Sequence, residues 1–301
     1  MSSSARILAL VGPSGTGKTA LSLALAARCN AEIVNCDSRQ VYRGLDIGSA
    51  KPSAAQRAAA PHHLFDVVEP DAEFDAARYA GLASAALETI AARGRPALVV
   101  GGTGLYLKAL RFGLFAGPPR DAALRAQLVA EDQAKPGALY ARLAQGDPAS
   151  AARLPPRDRL RVIRALEVLA LTGRPLSAWQ AEHAFAGERV AMRVIGLHLP
   201  RAELCARLDA RCVAMLDAGL LDEVRSLRAR GYGATLPALK SIGYREMSAH
   251  LDGACDLPSA LAAMQQATRR FAKRQMTWFR ADPSVQWLDA RTLRPEEIDV
   301  P

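Results

Sequence analysis

The sequence has few cysteines, and they follow no pairing pattern. Five cysteines occur in 301 residues, and none of them forms a Cys-x-x-Cys pair. An odd number with no such spacing suggests neither a disulfide framework nor a zinc site. The chain also lacks any apolar run near the roughly 20 residues that a membrane span requires. Residues 1–5 are too few and too polar for a signal peptide. We therefore expect a cytoplasmic protein with reduced thiols and no membrane association.

Positive charge, in contrast, is in excess. The chain carries 39 Lys and Arg against 30 Asp and Glu, which gives a formal net charge of +9. Such an excess favours a polyanionic partner such as nucleic acid, although a soluble basic enzyme can have the same composition. The hydrophobic fraction of 50% is that of an ordinary globular protein. Nothing in the sequence requires an oligomer, so we expect a monomer.

Short apolar segments alternate with helical patterns along the chain. Buried strands are predicted for residues 6–11, 32–36, 97–100 and 193–199, with a further edge strand at 285–289. Helices are predicted for residues 19–28, 75–93, 204–230 and 259–280. This alternation predicts an α/β fold with a doubly wound, mostly parallel sheet.

One long segment departs from this alternation. Residues 120–185 have no convincing strand pattern and are rich in alanine, leucine and arginine, with several interrupting prolines. We predict that they form a helical insertion domain, and that residues 1–119 and 186–301 together form the catalytic core.

Residues 10–26 contain a phosphate-loop pattern, in which Gly12 is followed after four residues by Gly17, Lys18 and Thr19. Backbone N–H groups of such a loop point inward at the positive end of the next helix, where they bind phosphate. Lys18 would add a charge on the terminal phosphates, and the Thr19 hydroxyl would be a ligand of Mg²⁺. Most such loops hold ATP or GTP, so one interpretation is a small-molecule or nucleoside kinase. Another is an RNA-binding module with a vestigial loop, against which the intact motif argues.

Two further candidate residues follow predicted strands. Asp37 comes just after the strand at 32–36, and Thr103 lies in the glycine-rich turn after the strand at 97–100. In a doubly wound sheet the carboxyl ends of the strands line the ligand crevice. Asp37 would therefore face the phosphate loop as a catalytic group, although an aspartate here is also typical of a turn or a helix cap.

Two basic segments remain, at residues 157–164 and 265–280. The second contains five basic residues and three aromatic residues but no acid: Arg269, Arg270, Phe271, Lys273, Arg274, Trp278, Phe279 and Arg280. Basic side chains beside aromatic rings suit a folded RNA with an exposed base. The alternative is an amphipathic helix whose aromatic rings are core and whose charges are solvated.

Seven segments, in order along almost the whole chain, resemble the tRNA dimethylallyltransferase family. They are GPSGTGKT (12–19), DSRQVYRGLDIGSAKP (37–52), PHHLFD (61–66), VGGTGLYLKAL (100–110), RALEV (164–168), SIGYRE (241–246) and ATRRFAKRQMTWFR (267–280). The resemblance implies transfer of a dimethylallyl group from dimethylallyl diphosphate to N6 of the adenosine immediately 3′ of the anticodon, with release of diphosphate. It also implies that the phosphate loop holds this diphosphate with Mg²⁺ and not a nucleotide.

The resemblance assigns roles to particular residues. The donor diphosphate site is expected to comprise Gly12, Pro13, Ser14, Gly15, Thr16, Gly17, Lys18, Thr19 and Arg211. Asp37 corresponds to the general base, and Thr103, Lys18 and Arg211 complete the expected catalytic set. Contacts to the tRNA anticodon arm are expected from Asp37, Ser38, Arg39, Gln40, Thr103, Arg125, Leu160, Arg161, Val162, Ile163, Arg164, Lys240, Ser241, Ile242, Gly243, Tyr244 and Arg245.

Some positions depart from the family pattern. Ser14 and Ser49 stand where the family usually has threonine, and both keep the hydroxyl. Arg157 stands where asparagine is common, so no role is assigned to it. No Cys/His finger follows the core, which makes the bacterial form the nearer relative.

Overall fold

The computed structural model describes residues 7–115 and 117–301, which divide into two compact units. The first unit consists of residues 7–111 together with Arg189–Pro301, and the second is Phe112–Glu188. The second unit begins before residue 120, where the sequence prediction began it, because two earlier rings pack inside it. Phe112 lies with its ring centroid 6.4 Å from that of Phe185, and Phe115 lies 6.2 Å from Trp179.

The described residues of the first unit form a sheet of six parallel strands. They are β1 (Ile7–Val11), β2 (Glu32–Asn35), β3 (His62–His63), β4 (Ala97–Val100), β5 (Arg193–His198) and β6 (Val285–Asp289). Their order across the sheet is β3-β2-β4-β1-β5-β6, and every pairing is parallel. The predicted fold class is confirmed, and β6 is an edge strand as expected. Arg6, predicted as the first residue of β1, lies outside the described residues.

The first unit also contains helices. The helices before the second unit are α1 (Lys18–Cys29), α2 (Ala54–Ala58), α3 (Ala76–Ala92) and α4 (Gly104–Phe112), and the last residue of α4 belongs to the second unit. Of these, α1 and α3 contact the sheet directly. The helices after the second unit are α10 (Arg201–Asp217), α11 (Leu220–Ala229), α12 (Tyr244–Leu251) and α13 (Leu257–Arg280), and a 3₁₀ turn at Pro295–Glu297 follows them. The prediction of one helix over 204–230 is wrong. Gly219 has φ 98° and separates α10 from α11. The two-residue strand β3 was not predicted, because so short an edge strand leaves no periodic pattern.

The described residues of the second unit form helices and no strand. It contains α5 (Ala122–Ala134), α6 (Ala138–Gly146), α7 (Pro148–Ala151), α8 (Arg159–Thr172) and α9 (Leu176–His183). Its core is built from aliphatic side chains spaced along α5, α6 and α8, including Leu128, Leu143, Val162 and Leu166. These spacings are those of amphipathic helices.

A cluster of apolar residues in the first unit joins the segment after β2 to the C-terminal helices. Val41, Tyr42 and Leu45 pack in one core with Val224 of α11 and Met264 of α13. This packing holds the segment that follows Asp37 against α11, α12 and α13. Among the described residues, no helix is both long and apolar enough to cross a membrane.

Candidate active site

Three loops that carry the predicted catalytic residues lie side by side at the carboxyl edge of the sheet. They follow β1, β2 and β4, which are neighbours in the order β2-β4-β1. The strand pairing continues into the loops: Cys36 donates its N–H to the carbonyl of Val100 at 2.8 Å, and Gly101 donates to that of Leu10 at 3.1 Å. The parallel topology therefore brings the loops of Lys18, Asp37 and Thr103 to the same edge of the sheet.

The loop between β1 and α1 has the backbone of an anion-binding turn. Gly12, Gly15 and Gly17 have φ values of 127°, 85° and 87°, in the region that L-residues rarely adopt. Gly17 precedes α1 and provides no side-chain cap, so the first N–H groups of the helix are open to a bound anion. The ammonium of Lys18 donates to the carbonyls of Gly12 at 2.9 Å and Pro13 at 2.7 Å.

Two cationic side chains of this site, Lys18 and Arg211, have lowered pKa values. Burial and, to a smaller extent, the nearby charge of Arg211 lower the pKa of Lys18 to about 8, although the charge of Asp37 opposes both effects. Burial also lowers the pKa of Arg211, again against the attraction of Asp37. Arg211 lies on α10, so a helix that follows the second unit in the sequence supplies the second cation. A bound diphosphate would relieve the repulsion between these two groups, because it would stabilise both charges.

Asp37 is held by a compact turn. Its carboxylate Oδ1 accepts the N–H of Arg39 at 2.8 Å, and its own N–H donates to Oδ1 of Asn35 at 3.0 Å. The Asn35 amide also donates to the carbonyls of Asp37 at 3.2 Å and Leu64 at 2.9 Å. Asp37 therefore does form the turn that its sequence context allows, and it also faces the site. Sequence reasoning missed Asn35, which is fully buried and fixes this turn.

Thr103 ties the turn after β4 to the Asp37 loop. Its N–H donates to the carbonyl of Cys36 at 3.2 Å, and its hydroxyl accepts the N–H of Ser38 at 3.0 Å. Thr103 thus contacts the backbone on both sides of Asp37.

A cavity of about 280 Å³ opens beside these loops. Its polar wall includes Ser14, Asp37 and Arg211, and its apolar wall is formed by Leu208, Met215, Ile242, Met264 and Phe271. The remaining lining residues are Ser38, Arg39, Gly48, Ser49, Ala50, Cys212, Lys240, Ser241, Tyr244, Arg245, Thr268 and Arg274. Most residues with an expected tRNA role in the first unit therefore line the same space as the carboxylate and one cation of the expected donor site.

Several predicted residues of the first unit have clear structural contacts. The Gln40 amide donates to the carbonyls of Ser49 and Ala50, both at 3.1 Å. The Tyr244 ring is fully buried, and its hydroxyl donates to Glu223 of α11 at 2.6 Å. Gly243 donates its N–H to Glu246 at 2.8 Å.

Glu223, which was not predicted as a site residue from the sequence, stabilises one wall of the cavity. Its carboxylate accepts the backbone N–H groups of Asp46, Ile47 and Gly48 at 3.1, 2.8 and 3.2 Å. Three successive N–H groups on one carboxylate fix the 46–48 segment, and Gly48 lines the cavity.

Helix α13 has features of both interpretations of the basic segment, the RNA-binding surface and the amphipathic helix with a packed aromatic face. Phe279 is buried, as a core aromatic would be, whereas Trp278 is 45% exposed. Arg270, Lys273 and Arg274 are exposed, but Arg269 forms an ion pair with Asp209 of α10. The helix therefore has a packed face and a separate cationic face.

The predicted tRNA-contacting residues of the second unit divide in the same way. Val162 and Ile163 are buried in its core, whereas Leu160, which is 79% exposed, and Arg161 present their side chains to solvent. Arg125 and Arg164 both bind the buried carboxylate of Glu167, with Arg125 forming hydrogen bonds of 2.7 and 2.9 Å. Burial alone would raise the pKa of Glu167, but these guanidinium groups outweigh it and lower the pKa to about 2.

The possible metal ligands near the phosphate loop suit a metal ion that the protein and the substrate phosphates would bind together. Across the described residues there is no cluster of three or more His, Cys, Asp or Glu side chains that could hold a metal ion by themselves. Thr19 supplies a hydroxyl on the first turn of α1. One hydroxyl with phosphate oxygens and water is a coordination that suits Mg²⁺, which commonly keeps water and binds through substrate phosphates.

The parallel sheet and the glycine-rich loop before α1 define a phosphate-loop α/β protein. A sequence model of the family described as IPP transferase matches residues 40–282, and one described as isopentenyl transferase matches residues 5–63. The chain belongs to the IPP transferase family.

Named relatives match nearly the whole chain. A tRNA dimethylallyltransferase of Anaeromyxobacter dehalogenans is 53% identical, over 97% of this chain and 97% of that protein. One of Geobacter metallireducens is 49% identical, over 94% and 92%. The crystal structure of the tRNA isopentenylpyrophosphate transferase of Bacillus halodurans is 38% identical with a TM-score of 0.70, over 95% and 90%. A eukaryotic dimethylallyltransferase described as acting on tRNA is 28% identical with a TM-score of 0.76, over 94% and 73%.

Proposed function

We propose that this chain transfers the dimethylallyl group of dimethylallyl diphosphate to N6 of the adenosine immediately 3′ of the anticodon in tRNA. The observation that carries the proposal is the position of Asp37, which faces the cavity close enough to Lys18 and Arg211 to act on the pKa of both. The relatives named as tRNA dimethylallyltransferases support it. A kinase is not favoured, because the named relatives transfer a prenyl group and are not kinases.

The phosphate loop binds the diphosphate of the donor in this proposal. Its N–H groups and the ammonium of Lys18 stabilise the negative charge that grows on the leaving oxygen as the carbon–oxygen bond breaks. Arg211 contributes a second charge from α10. The Thr19 hydroxyl would be the protein ligand of Mg²⁺, whose charge would help to stabilise the departing diphosphate.

Asp37 acts as the general base. The exocyclic amine of adenine is a weak nucleophile because its lone pair is delocalised into the ring. As N6 bonds to the allylic carbon, the electron pair of the carbon–oxygen bond leaves with the diphosphate. The amine proton moves to the Asp37 carboxylate, so that the products are the alkylated adenine and free diphosphate. The turn formed with Asn35 and Arg39 keeps the carboxylate at the site.

The target adenine leaves its stack to enter the cavity, as enzymes that modify bases require. In the first unit, Arg39, Lys240 and Arg245 line the cavity and would contact the RNA backbone near the flipped base. In the second unit, Leu160 and Arg161 are the exposed side chains of the 160–164 stretch that was expected to contact the anticodon arm. We further propose that the enzyme works as a monomer in the cytoplasm, which size-exclusion chromatography and cell fractionation would test.

The test uses a synthetic anticodon stem-loop with adenosine 3′ of the anticodon. The protein is incubated with this RNA, dimethylallyl diphosphate and Mg²⁺, and the digested nucleosides are analysed by mass spectrometry. The proposal predicts one dimethylallyl adenosine per RNA and none when guanosine replaces the target adenosine. Phosphorylated product from a parallel reaction with ATP, without any alkylated nucleoside, would instead support a kinase.

A further inference from the structure

Gln275 of α13 makes two hydrogen bonds that cross the crevice. Its side-chain oxygen accepts the N–H of Ser14 in the phosphate loop at 3.0 Å. Its side-chain nitrogen donates to the carbonyl of Gly102, in the turn after β4, at 3.0 Å. The side chain is only 5% exposed although it lies in the most basic segment of the sequence. One amide thus joins the loop of the expected donor site to the turn that carries Thr103.

The Gln275 amide packs closely against the backbone of Gly102. A Cβ atom on Gly102 would lie 2.1 Å from the Gln275 nitrogen, so any larger residue would displace the amide. Trp278, one turn further along α13, fills the corresponding space at Gly104, where a Cβ would lie 2.0 Å from the indole. The glycines of the β4 turn therefore serve the close approach of α13.

Further hydrogen bonds connect the Gln275 contacts to the loop of Asp37, the proposed general base. Gly102 is next to Thr103, and the Thr103 hydroxyl accepts the N–H of Ser38, the neighbour of Asp37. The path from Ser14 to Asp37 therefore runs through one buried amide and one hydroxyl. A glutamine suits the central position because it offers both an acceptor for Ser14 and a donor for Gly102.

We propose that Gln275 is a positioning residue that sets the distance between the diphosphate loop and the Asp37–Thr103 side of the site. Its role rests on the proposed function, since it fixes where the leaving group stands relative to the base. Gln275 acts through the loops that it holds and not as a catalytic group. Misplacement of reacting groups by about 1 Å typically costs about a hundredfold in rate.

The first test replaces Gln275 with Met, which keeps length and volume but removes both hydrogen bonds. A matched control is Gln266→Met, an exposed glutamine on the same helix. We expect Gln275→Met to lower the single-turnover rate about a hundredfold and the affinity for inorganic diphosphate about tenfold. Affinity for the stem-loop and the far-ultraviolet circular dichroism should stay near those of the parent. Unchanged rate and unchanged diphosphate affinity would overturn the proposal.

A second variant, Gln275→Glu, separates positioning from simple destabilisation. When protonated, the introduced carboxyl offers one acceptor and one donor, as the amide does, but when ionised it has no donor for the Gly102 carbonyl. Because Lys18 also titrates in this range, the quantity compared is the ratio of variant to parent rate. This ratio should rise at least tenfold as the pH falls from about 8 to about 6. A ratio that is independent of pH would contradict the assigned hydrogen bond.

The two proposals fail in different ways. If the parent does not alkylate the stem-loop, the proposed function fails whatever the variants do, and the diphosphate measurement still decides whether Gln275 organises the phosphate loop. If the parent is active and Gln275→Met is equally active with equal diphosphate affinity, only the positioning role is lost.

Discussion

The hydroxyl of Thr103 accepts the backbone N–H of Ser38 at 3.0 Å, which joins the turn after β4 to the loop after β2. The bond is one residue away from the Asp37 carboxylate. Thr103 is therefore placed to control the position of the base through the backbone, whether or not it also touches the target nucleotide.

Replacing Thr103 with Val should slow transfer about tenfold at saturating substrates. The change keeps the shape of the side chain but leaves the Ser38 N–H without its acceptor, at a cost of about 1–3 kcal/mol. Thr103→Ser, which retains the hydroxyl, should stay within about threefold of the parent. Equal single-turnover rates for the Val and Ser variants would show that the bond does not position Asp37.

The pKa of Lys18 predicts that donor binding takes up a proton in alkaline solution. Burial, followed by Arg211, lowers this pKa to about 8 in the donor-free protein. Below that pH the ammonium is already charged, so binding of the diphosphate needs no proton. Above it the neutral amine must be protonated to meet the anion, and donor affinity should fall by up to about tenfold per pH unit.

Calorimetric titration with dimethylallyl diphosphate in buffers of different ionisation enthalpy measures this proton directly. Uptake should approach one proton per donor at about pH 9 and should be small at about pH 7. Lys18→Met should bind more weakly and lose the uptake. Equal uptake by the parent and this variant would assign the proton to another group.

The exposed face of α13 predicts a salt-dependent contribution to RNA binding. Arg270 and Lys273 are exposed, whereas Arg269 is held by Asp209. Each phosphate contact releases counterions, so Arg270→Ala and Lys273→Ala should each reduce the slope of log Kd against log salt by about one.

Arg225→Ala is the matched control for charge, because Arg225 lies on α11 and pairs with Asp222. It should leave the slope of stem-loop binding unchanged. If all three variants keep the parent slope, the cationic face of α13 is only a solvated surface.

The parts of this structure that could be predicted from sequence are those with a repeating or local signal. The strands β1, β2, β4 and β5 contain short apolar runs, and their parallel direction could be predicted from their alternation with helices. Lys18, Asp37 and Thr103 were placed in one crevice because each follows a strand of a parallel sheet. These inferences use only spacing along the chain.

The residues that were missed form contacts between distant segments. Gln275 is 261 residues from Ser14, and Glu223 is 177 residues from Asp46. A glutamine among arginines and a glutamate near a helix start look like solvated surface, since no local pattern shows what they face. The break at Gly219 was a local signal that could have been used, because a glycine between two helical patterns is typical of a helix end.

The Glu167 cluster predicts how the second unit responds to loss of one charge. Glu167→Gln leaves Arg125 and Arg164 without their shared carboxylate and should destabilise this unit by about 3 kcal/mol. Hydrogen exchange in α5 and α8 of the full chain should then accelerate about a hundredfold, while exchange in the phosphate loop should not change. In the parent, this stabilisation is complete above the usual glutamate pKa of 4.5 and is lost as the pH falls towards about 2.

Glu131→Gln is the matched control in the same unit, because Glu131 pairs with Arg142 on the exposed surface at 2.8 Å. Exposed pairs contribute little, so exchange in α5 and α8 should stay near that of the parent. Similar exchange rates in the two variants would show that the buried carboxylate does not hold the unit together.

The central claim is that Asp37 accepts the proton of the adenine amine, and Asp37→Asn tests it most directly. Asparagine keeps the size of the side chain and an oxygen that can accept the N–H of Arg39, so the turn and both binding sites should persist. Only proton acceptance is lost, which is worth about a hundredfold to ten thousandfold in rate. The decisive measurement is the single-turnover rate of dimethylallyl transfer to the stem-loop with both substrates saturating. We predict a fall of at least a hundredfold with nearly unchanged affinities, and transfer at the parent rate would contradict the assignment of Asp37 as the base.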